Sequence, residues 1–370
     1  MSRTILPGST IGILGGGQLG RMMALKAREM GYRIAVLEPK GGSPCGQVAD
    51  HEVVSGYDDL DGARELAELS DVITYEFENI THETAKWLTE NAYMPQGGEL
   101  LRITQDRYVE KTTIQKSDLQ VAPFEAVDSK QDLYNAIKRI DLPSVLKTRT
   151  GGYDGKGQWV LRNQEDLDSL SFPGVPCILE SWVPFQKELS VIVTRSVMGE
   201  TTTFPVGENI HVNNILHQTI VPARVNDTVK NAASEIGKQL ANDLNLVGTL
   251  AVELFLKDNE LYVNELAPRP HNSGHYTMEA CETSQFEQHI RAICGLPLGS
   301  TKQVQPVVMG NLLGQHVSPL MESVSELGSA KLHLYGKDEA KHNRKMGHVN
   351  FLASSTDDAI ERMTQWKLWQ

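Results

Sequence analysis

A short apolar strand, Thr10 to Leu14, runs directly into Gly15-Gly16-Gly17-Gln18-Leu19-Gly20, then into a helical pattern from Leu19 to Met30 and a second apolar strand, Tyr32 to Leu37. Strand, tight glycine turn, helix and strand in that order make a βαβ unit, whose two strands must lie parallel. The alternation continues with a helix from Leu60 to Leu69, a strand from Val72 to Tyr75 and a helix from His82 to Glu90. Residues 1–105 are therefore expected to form an α/β domain around an open parallel sheet.

The turn satisfies G-x-G-x-x-G, and Glu38 ends the next strand, which is the Rossmann-like dinucleotide fingerprint. It supports one reading, an NAD-dependent oxidoreductase, but a helix N-terminus of this kind also fits any phosphate or ribose group. A second glycine loop lies in Lys-Thr-Arg-Thr-Gly-Gly-Tyr-Asp-Gly-Lys-Gly, from Lys147 to Gly157. Glycines let backbone amides approach a polyanion, and Lys147 and Lys156 add mobile positive charge. No Gly-Lys-Ser or Gly-Lys-Thr follows, so this is not a P-loop. Further on, Glu253 and Asn264-Glu265 lie on two strand-like segments, 250–256 and 261–266, and offer oxygen ligands for two divalent ions. Shared metal binding requires both glutamates on one face. A two-residue turn at Asp258-Asn259 would pair Glu253 with Asn264 and turn Glu265 away, so a three-residue connection or an equivalent bulge is expected. The dinucleotide reading leaves this loop and these acids unexplained; an ATP-dependent enzyme accounts for both.

Between these motifs, a helix at Asp106 to Lys116 leads into an α+β region, with strands near 144–149 and 158–162 flanking the loop. Val229, Ala233, Ile236, Leu240 and Leu244 recur at helical spacing after Asp227, read as the N-cap, and are expected to face the core. Beyond Gly299 short strands and turns suggest a small β-rich domain. The expected divisions are 1–105, 106–298 and 299–370, within a chain of 370 residues and 40% hydrophobic content. A formal charge of -12 opposes a broad nucleic-acid surface but not a basic pocket. Cys45, Cys177, Cys281 and Cys294 form no paired spacing, which favours reduced buried thiols, and no apolar run is long enough to span a bilayer; a cytoplasmic location is expected.

Taken together, the residues resemble the ATP-grasp superfamily and, within it, the 5-(carboxyamino)imidazole ribonucleotide synthetase family. The resemblance rests on 15–22 (Gly-Gly-Gly-Gln-Leu-Gly-Arg-Met), 75–79 (Tyr-Glu-Phe-Glu-Asn), 151–157 (Gly-Gly-Tyr-Asp-Gly-Lys-Gly), 264–275 (Asn-Glu-Leu-Ala-Pro-Arg-Pro-His-Asn-Ser-Gly-His), Tyr335-Gly336-Lys337 and 344–348 (Arg-Lys-Met-Gly-His). The central motifs alone also admit other ATP-grasp carboxylate-amine ligases, such as formate-using glycinamide ribonucleotide transformylase and biotin carboxylase.

The resemblance implies an N-terminal pre-ATP-grasp sheet, a central ATP-grasp domain and a C-terminal β-rich domain. It implies a homodimer that forms carboxyphosphate from ATP and bicarbonate, with magnesium, and carboxylates the amine of 5-aminoimidazole ribonucleotide, either directly or through released carbon dioxide. By resemblance, Arg107 and Lys147 contact ATP; Gly152, Tyr153, Asp154, Gly155, Lys156, Gly157 and Gln158 form the phosphate lid. Glu180, Ser181, Trp182 and Val183 present groups to adenine, Glu188 binds ribose and His211 flanks the nucleotide. Glu253 and Glu265 ligate magnesium with Asn264 beside them; Arg269 stabilises phosphoryl-transfer charge and His271 binds bicarbonate or relays a proton. Gln18, Leu19, Glu76, Tyr153, Lys337, Arg344 and Lys345 bind the ribonucleotide, whose amine Asp154 orients or deprotonates. A non-catalytic ATP-binding regulator would be expected to lack some of these groups.

Overall fold

The computed structural model describes residues 3–152 and 155–369. Its first sheet contains β1 (Thr10–Leu14), β2 (Arg33–Glu38), β3 (His51–Val54) and β4 (Val72–Tyr75), parallel throughout and ordered β3-β2-β1-β4. Helices Gln18–Glu29, Leu60–Leu69 and His82–Asn91 supply the crossovers that parallel pairing requires. The first begins one residue earlier than its apolar pattern suggests. β1 and β4 are buried along their whole length, which explains their uninterrupted apolar sequences.

A second, antiparallel sheet contains β5 (Phe124–Val127), β6 (Ser144–Thr148), β7 (Gln158–Leu161) and β8 (Cys177–Ser181), in the order β5-β8-β6-β7. The glycine loop joins β6 to β7. Gly155 and Gly157 have φ of +80° and +71°, backbone that side chains rarely adopt, and Thr148 N–H closes the loop on the Gly157 carbonyl at 2.8 Å.

The third sheet takes up β9 (Lys187–Arg195), β10 (Thr201–Thr203), β11 (Gly207–Val212), β12 (Ile215–Val221), β13 (Gly248–Lys257), β14 (Glu260–Ala267), β15 (Val307–Leu313), β16 (Lys331–Leu334) and β17 (Lys345–Leu352). Its order is β14-β13-β9-β11-β12-β15-β17-β16, with β10 also on β9. The C-terminal strands thus extend the central sheet through the β12–β15 pairing. Helix Asp227–Asp243 covers this sheet: Val229, Ala233 and Leu240 enter its core, with Ile236 and Leu244 packed against it. Its cap is Asn226, whose side chain accepts from Val229 N–H at 2.9 Å; Asp227, read from the sequence as the cap, is the first helical residue. All four cysteines are buried, and among the described residues no helix is long and apolar enough to cross a membrane.

Candidate active site

The β13–β14 hairpin sets the geometry. Lys257 pairs with Glu260, so the connection is the two-residue turn Asp258-Asn259, both in the left-handed region at φ of 51° and 65°. A two-residue turn alone would send Glu265 to the far face. The ladder instead slips between Glu253 and Leu254: Leu254 lies opposite Val263, while Glu253 lies opposite Glu265. Asn264 is the inserted residue of a β-bulge, and the three polar side chains line the same cavity. Of the two expected devices, the longer loop is absent and the bulge is present.

That cavity, about 480 Å³, lies between the second and third sheets. Arg107, Lys147, Gly152, Gly155, Lys156, Gly157 and Gln158 line one side, with Glu180, Ser181, Trp182, Val183, Glu188 and His211 along the next. Glu253, Asn264, Glu265, Arg269, His271 and Lys345 complete it. Phe185 and Phe255, stacked at 4.5 Å between ring centroids, form an apolar wall with Ala122, Val145, Val160 and Leu216. Tyr153 and Asp154, expected in the lid and at the substrate amine, lie outside the described residues.

The electrostatics of the two glutamates differ. Burial and the neighbouring Glu265 charge push Glu253 up to about 7. Burial also acts on Glu265, but Arg107 and Lys147 outweigh it and hold this carboxyl below its ordinary value. Arg107 Nη1 lies 3.2 Å from Glu265 Oε2. Ser273 N–H donates to His271 Nδ1 at 3.3 Å, so the neutral ring carries its proton on Nε2, which faces Glu253 Oε1 at 3.6 Å. Burial, reinforced by Arg269 and Lys345, keeps His271 well below its usual pKa. Glu188 pairs with His211 Nδ1; burial lowers the imidazole pKa, but this bond together with the negative charges of Glu188 and Glu253 outweighs it and leaves the pKa raised.

Lys147 Nζ donates to Glu180 Oε2 at 2.9 Å, and Lys111 Nζ lies 3.3 Å from the same oxygen. Burial opposes ionisation of Glu180, yet the two lysines bring its pKa down to about 2. Its other oxygen, Oε1, is buried without a hydrogen-bond partner among the described residues. Glu78 forms an ion pair with Arg269 Nη2 at 2.7 Å. The sequence reading missed Glu78 although it lies in the quoted 75–79 motif, just past the end of β4. Lys111 was missed inside an otherwise ordinary helix; a lysine at a core-facing position was its signal.

The remaining expected substrate residues lie elsewhere. Glu76 accepts from Gly17 N–H and from Gly20 N–H, the latter at 2.7 Å, while Glu38 accepts from Gly16 N–H at 2.7 Å. The amides of the first glycine turn are thus taken by the protein's own carboxylates, leaving the dinucleotide reading without its phosphate site. Leu19 is buried in the core of the first domain, and Gln18 opens its first helix. Lys337 Nζ donates to the Lys345 carbonyl at 2.7 Å, and Arg344 Nη1 to the Glu339 carbonyl at 2.9 Å. Gln47 Nε2 donates to the Gly336 carbonyl at 2.8 Å, so the basic C-terminal segment adjoins the N-terminal domain.

Among the described residues no group of three or more His, Cys, Asp or Glu closes around a point. A pair of carboxylates with an adjacent amide oxygen nevertheless suits magnesium, which keeps most of its shell for water and phosphate oxygens.

Three family models match the chain: a ribonucleotide synthetase preATP-grasp domain at 8–105, an ATP-grasp domain at 112–286 and a phosphoribosylaminoimidazole carboxylase C-terminal domain at 307–362. N5-carboxyaminoimidazole ribonucleotide synthase of Bacillus subtilis is 55% identical over 98% of this chain and 97% of its own. An ADP complex of N5-carboxyaminoimidazole ribonucleotide synthetase is 58% identical, with a TM-score of 0.97 over 100% of this chain and 99% of its own. The synthase from Aspergillus clavatus, in complex with ADP and 5-aminoimidazole ribonucleotide, is 29% identical, with a TM-score of 0.89 over 97% of each chain. The chain belongs to the N5-carboxyaminoimidazole ribonucleotide synthase family of ATP-grasp ligases.

Proposed function

We propose that this chain uses ATP, bicarbonate and magnesium to carboxylate 5-aminoimidazole ribonucleotide in purine (IMP) biosynthesis. The observation that carries the reading is the bulge that turns Glu253, Asn264 and Glu265 into one cavity with Arg107, Lys147 and Arg269. A bicarbonate oxygen attacks the γ-phosphorus, the bond to ADP breaks, and carboxyphosphate forms. The exocyclic nitrogen then bonds to the carboxyl carbon as inorganic phosphate leaves and the amine gives up a proton. Held by Glu253 and Glu265, two magnesium ions would offset charge on the transferred phosphoryl group.

The chain's own groups then have distinct tasks. Lys147, Lys156 and the loop amides receive the phosphates; the apolar wall and residues 180–183 receive the adenine, with Glu180 Oε1 accepting from a ligand donor. Glu188, buttressed by His211, takes the ribose hydroxyls. Lys345 lines the nucleotide cavity and touches Lys337 through its carbonyl, so the ribonucleotide phosphate is assigned to this C-terminal edge. The assigned divisions are 1–105, 106–298 and 299–370, and the assembly a cytoplasmic homodimer, which sedimentation measures.

The deciding experiment follows ADP and phosphate release with ATP, magnesium and bicarbonate, with and without freshly prepared 5-aminoimidazole ribonucleotide, while detecting the labile carboxylated product. Ribonucleotide-dependent ATP cleavage with that product supports the reading. Turnover only with formate and another amine acceptor replaces the substrates, and ATP binding without turnover favours a regulator. Within this scheme Arg269→Ala is expected to lower kcat by on the order of 10²-fold or more, with the Kd for ATP changed less than about threefold. Equal losses in the two would remove Arg269 from transition-state stabilisation.

A further inference from the structure

β14 is the outermost strand of the large sheet, so one row of its backbone groups points away from β13. Such an edge ordinarily takes water or another strand. Here the helix Arg107–Lys116 and the segment after it take the row instead. Val263 N–H donates to the Gln120 carbonyl at 2.8 Å, Lys111 Nζ donates to the Asn264 carbonyl at 3.2 Å, and Leu266 N–H donates to Glu110 Oε1 at 2.7 Å. These three bonds bracket Asn264 and Glu265, where the bulge lies.

Glu110 and Lys111 are each 1% exposed. Burying an ionisable side chain is costly unless its polar end is used, and here both ends are spent on the backbone of a single strand. A bulge also needs that support: its extra residue interrupts the ladder, and a slip of one residue would turn Glu265 to the opposite face. Lys111 reaches Glu180 as well, so one helical turn references the carboxylates on both sides of the cavity. We propose that Glu110 and Lys111 are positioning residues that lock the bulged edge strand, keeping Asn264 and Glu265 beside Glu253 for a divalent ion. The inference rests on the metal role given above to Glu253 and Glu265.

The test measures Mn2+ binding to the full-length protein with ADP, by electron paramagnetic resonance, and ADP binding alone in chelator, by calorimetry. Glu110→Leu removes the acceptor and is expected to weaken Mn2+ binding by about 10–100-fold, the usual consequence of losing a group that orients a metal ligand. ADP affinity in chelator should change less than about twofold. Glu110→Gln keeps a carbonyl acceptor and should bind Mn2+ within about threefold of the parent, a rescue that general loosening of the fold would not give. A folded leucine variant with parental Mn2+ affinity, or a glutamine variant as impaired as leucine, overturns the proposal. Should Glu110→Leu not fold, hydrogen exchange on the unaltered protein decides: the Leu266 amide is expected to exchange as slowly as Val252 on the inner strand, and free-edge exchange overturns the lock. An unaltered protein that binds ADP but no Mn2+ removes the metal reading itself, and this proposal with it.

Discussion

Glu265→Gln is expected to lower kcat by on the order of 10²–10³-fold, the loss typical when a preorganised charge is removed from a transition state. The reason lies in the unequal footing of the two acids. Glu265 is kept ionised by Arg107 and Lys147, whereas Glu253 is pushed up to about 7 by burial and by Glu265 itself. Glu265 is therefore the standing negative charge of the two proposed metal carboxylates, and its loss also frees Arg107, now 3.2 Å away, to pair elsewhere. Steady-state kinetics across a magnesium titration would show the deficit persisting at saturation. A variant within about threefold of the parent would exclude Glu265 from the metal site.

Glu180→Gln is expected to cost about 3–5 kcal/mol of stability at neutral pH, because it leaves the buried Lys111 and the half-buried Lys147 facing an uncharged amide. The side chains of Lys111 and Glu180 are only 2% and 4% exposed, so water cannot replace the lost partner. Lys147, already lowered in pKa by burial, would lose the charge that sustains its ammonium form. The pH dependence has a definite sign. The carboxyl is depressed to about 2, so its contribution is complete above its unfolded value of 4.5 and disappears as pH falls through about 2. Denaturant unfolding of parent and variant should thus show a gap at pH 5 that narrows as the pH falls below 4.5. A gap unchanged down to pH 2 would contradict the lysine–carboxylate account.

The sequence disclosed β1, β2 and β4 of the first sheet to within a residue, because buried parallel strands and amphipathic helices have different apolar periods; the edge strand β3, in which only Val53 is buried, carries no such pattern and was not read. Helix Leu60–Leu69 and strand Val72–Tyr75 begin and end where their patterns do. The bulge was legible too, in a less direct way: Leu261, Val263 and Leu266 are buried, and the two polar residues between the last pair break strict alternation. What remained hidden depends on tertiary partners. Nothing local shows that Glu38 and Glu76 satisfy glycine amides, since those bonds span 22 and more than 50 residues. Nor does a helical Glu110-Lys111 pair announce that it serves a strand over 150 residues away. Asn226 outcompeted Asp227 as a cap because the two neighbours are equally suited by type, and only the backbone entry angle chooses between them.

The pairing of β12 with β15 has a consequence for how the chain is made. Val221 and Val307 are adjacent in the finished sheet but far apart in synthesis order. At roughly 5–20 residues per second, a ribosome needs on the order of 4–17 s to bring out the second after the first. Throughout that interval the nascent protein presents β12, an apolar strand with an open hydrogen-bonding edge, to its surroundings. The last strands therefore act as the cover that ends a vulnerable period of birth, and a chain released before they emerge would carry an adhesive edge into a crowded cell.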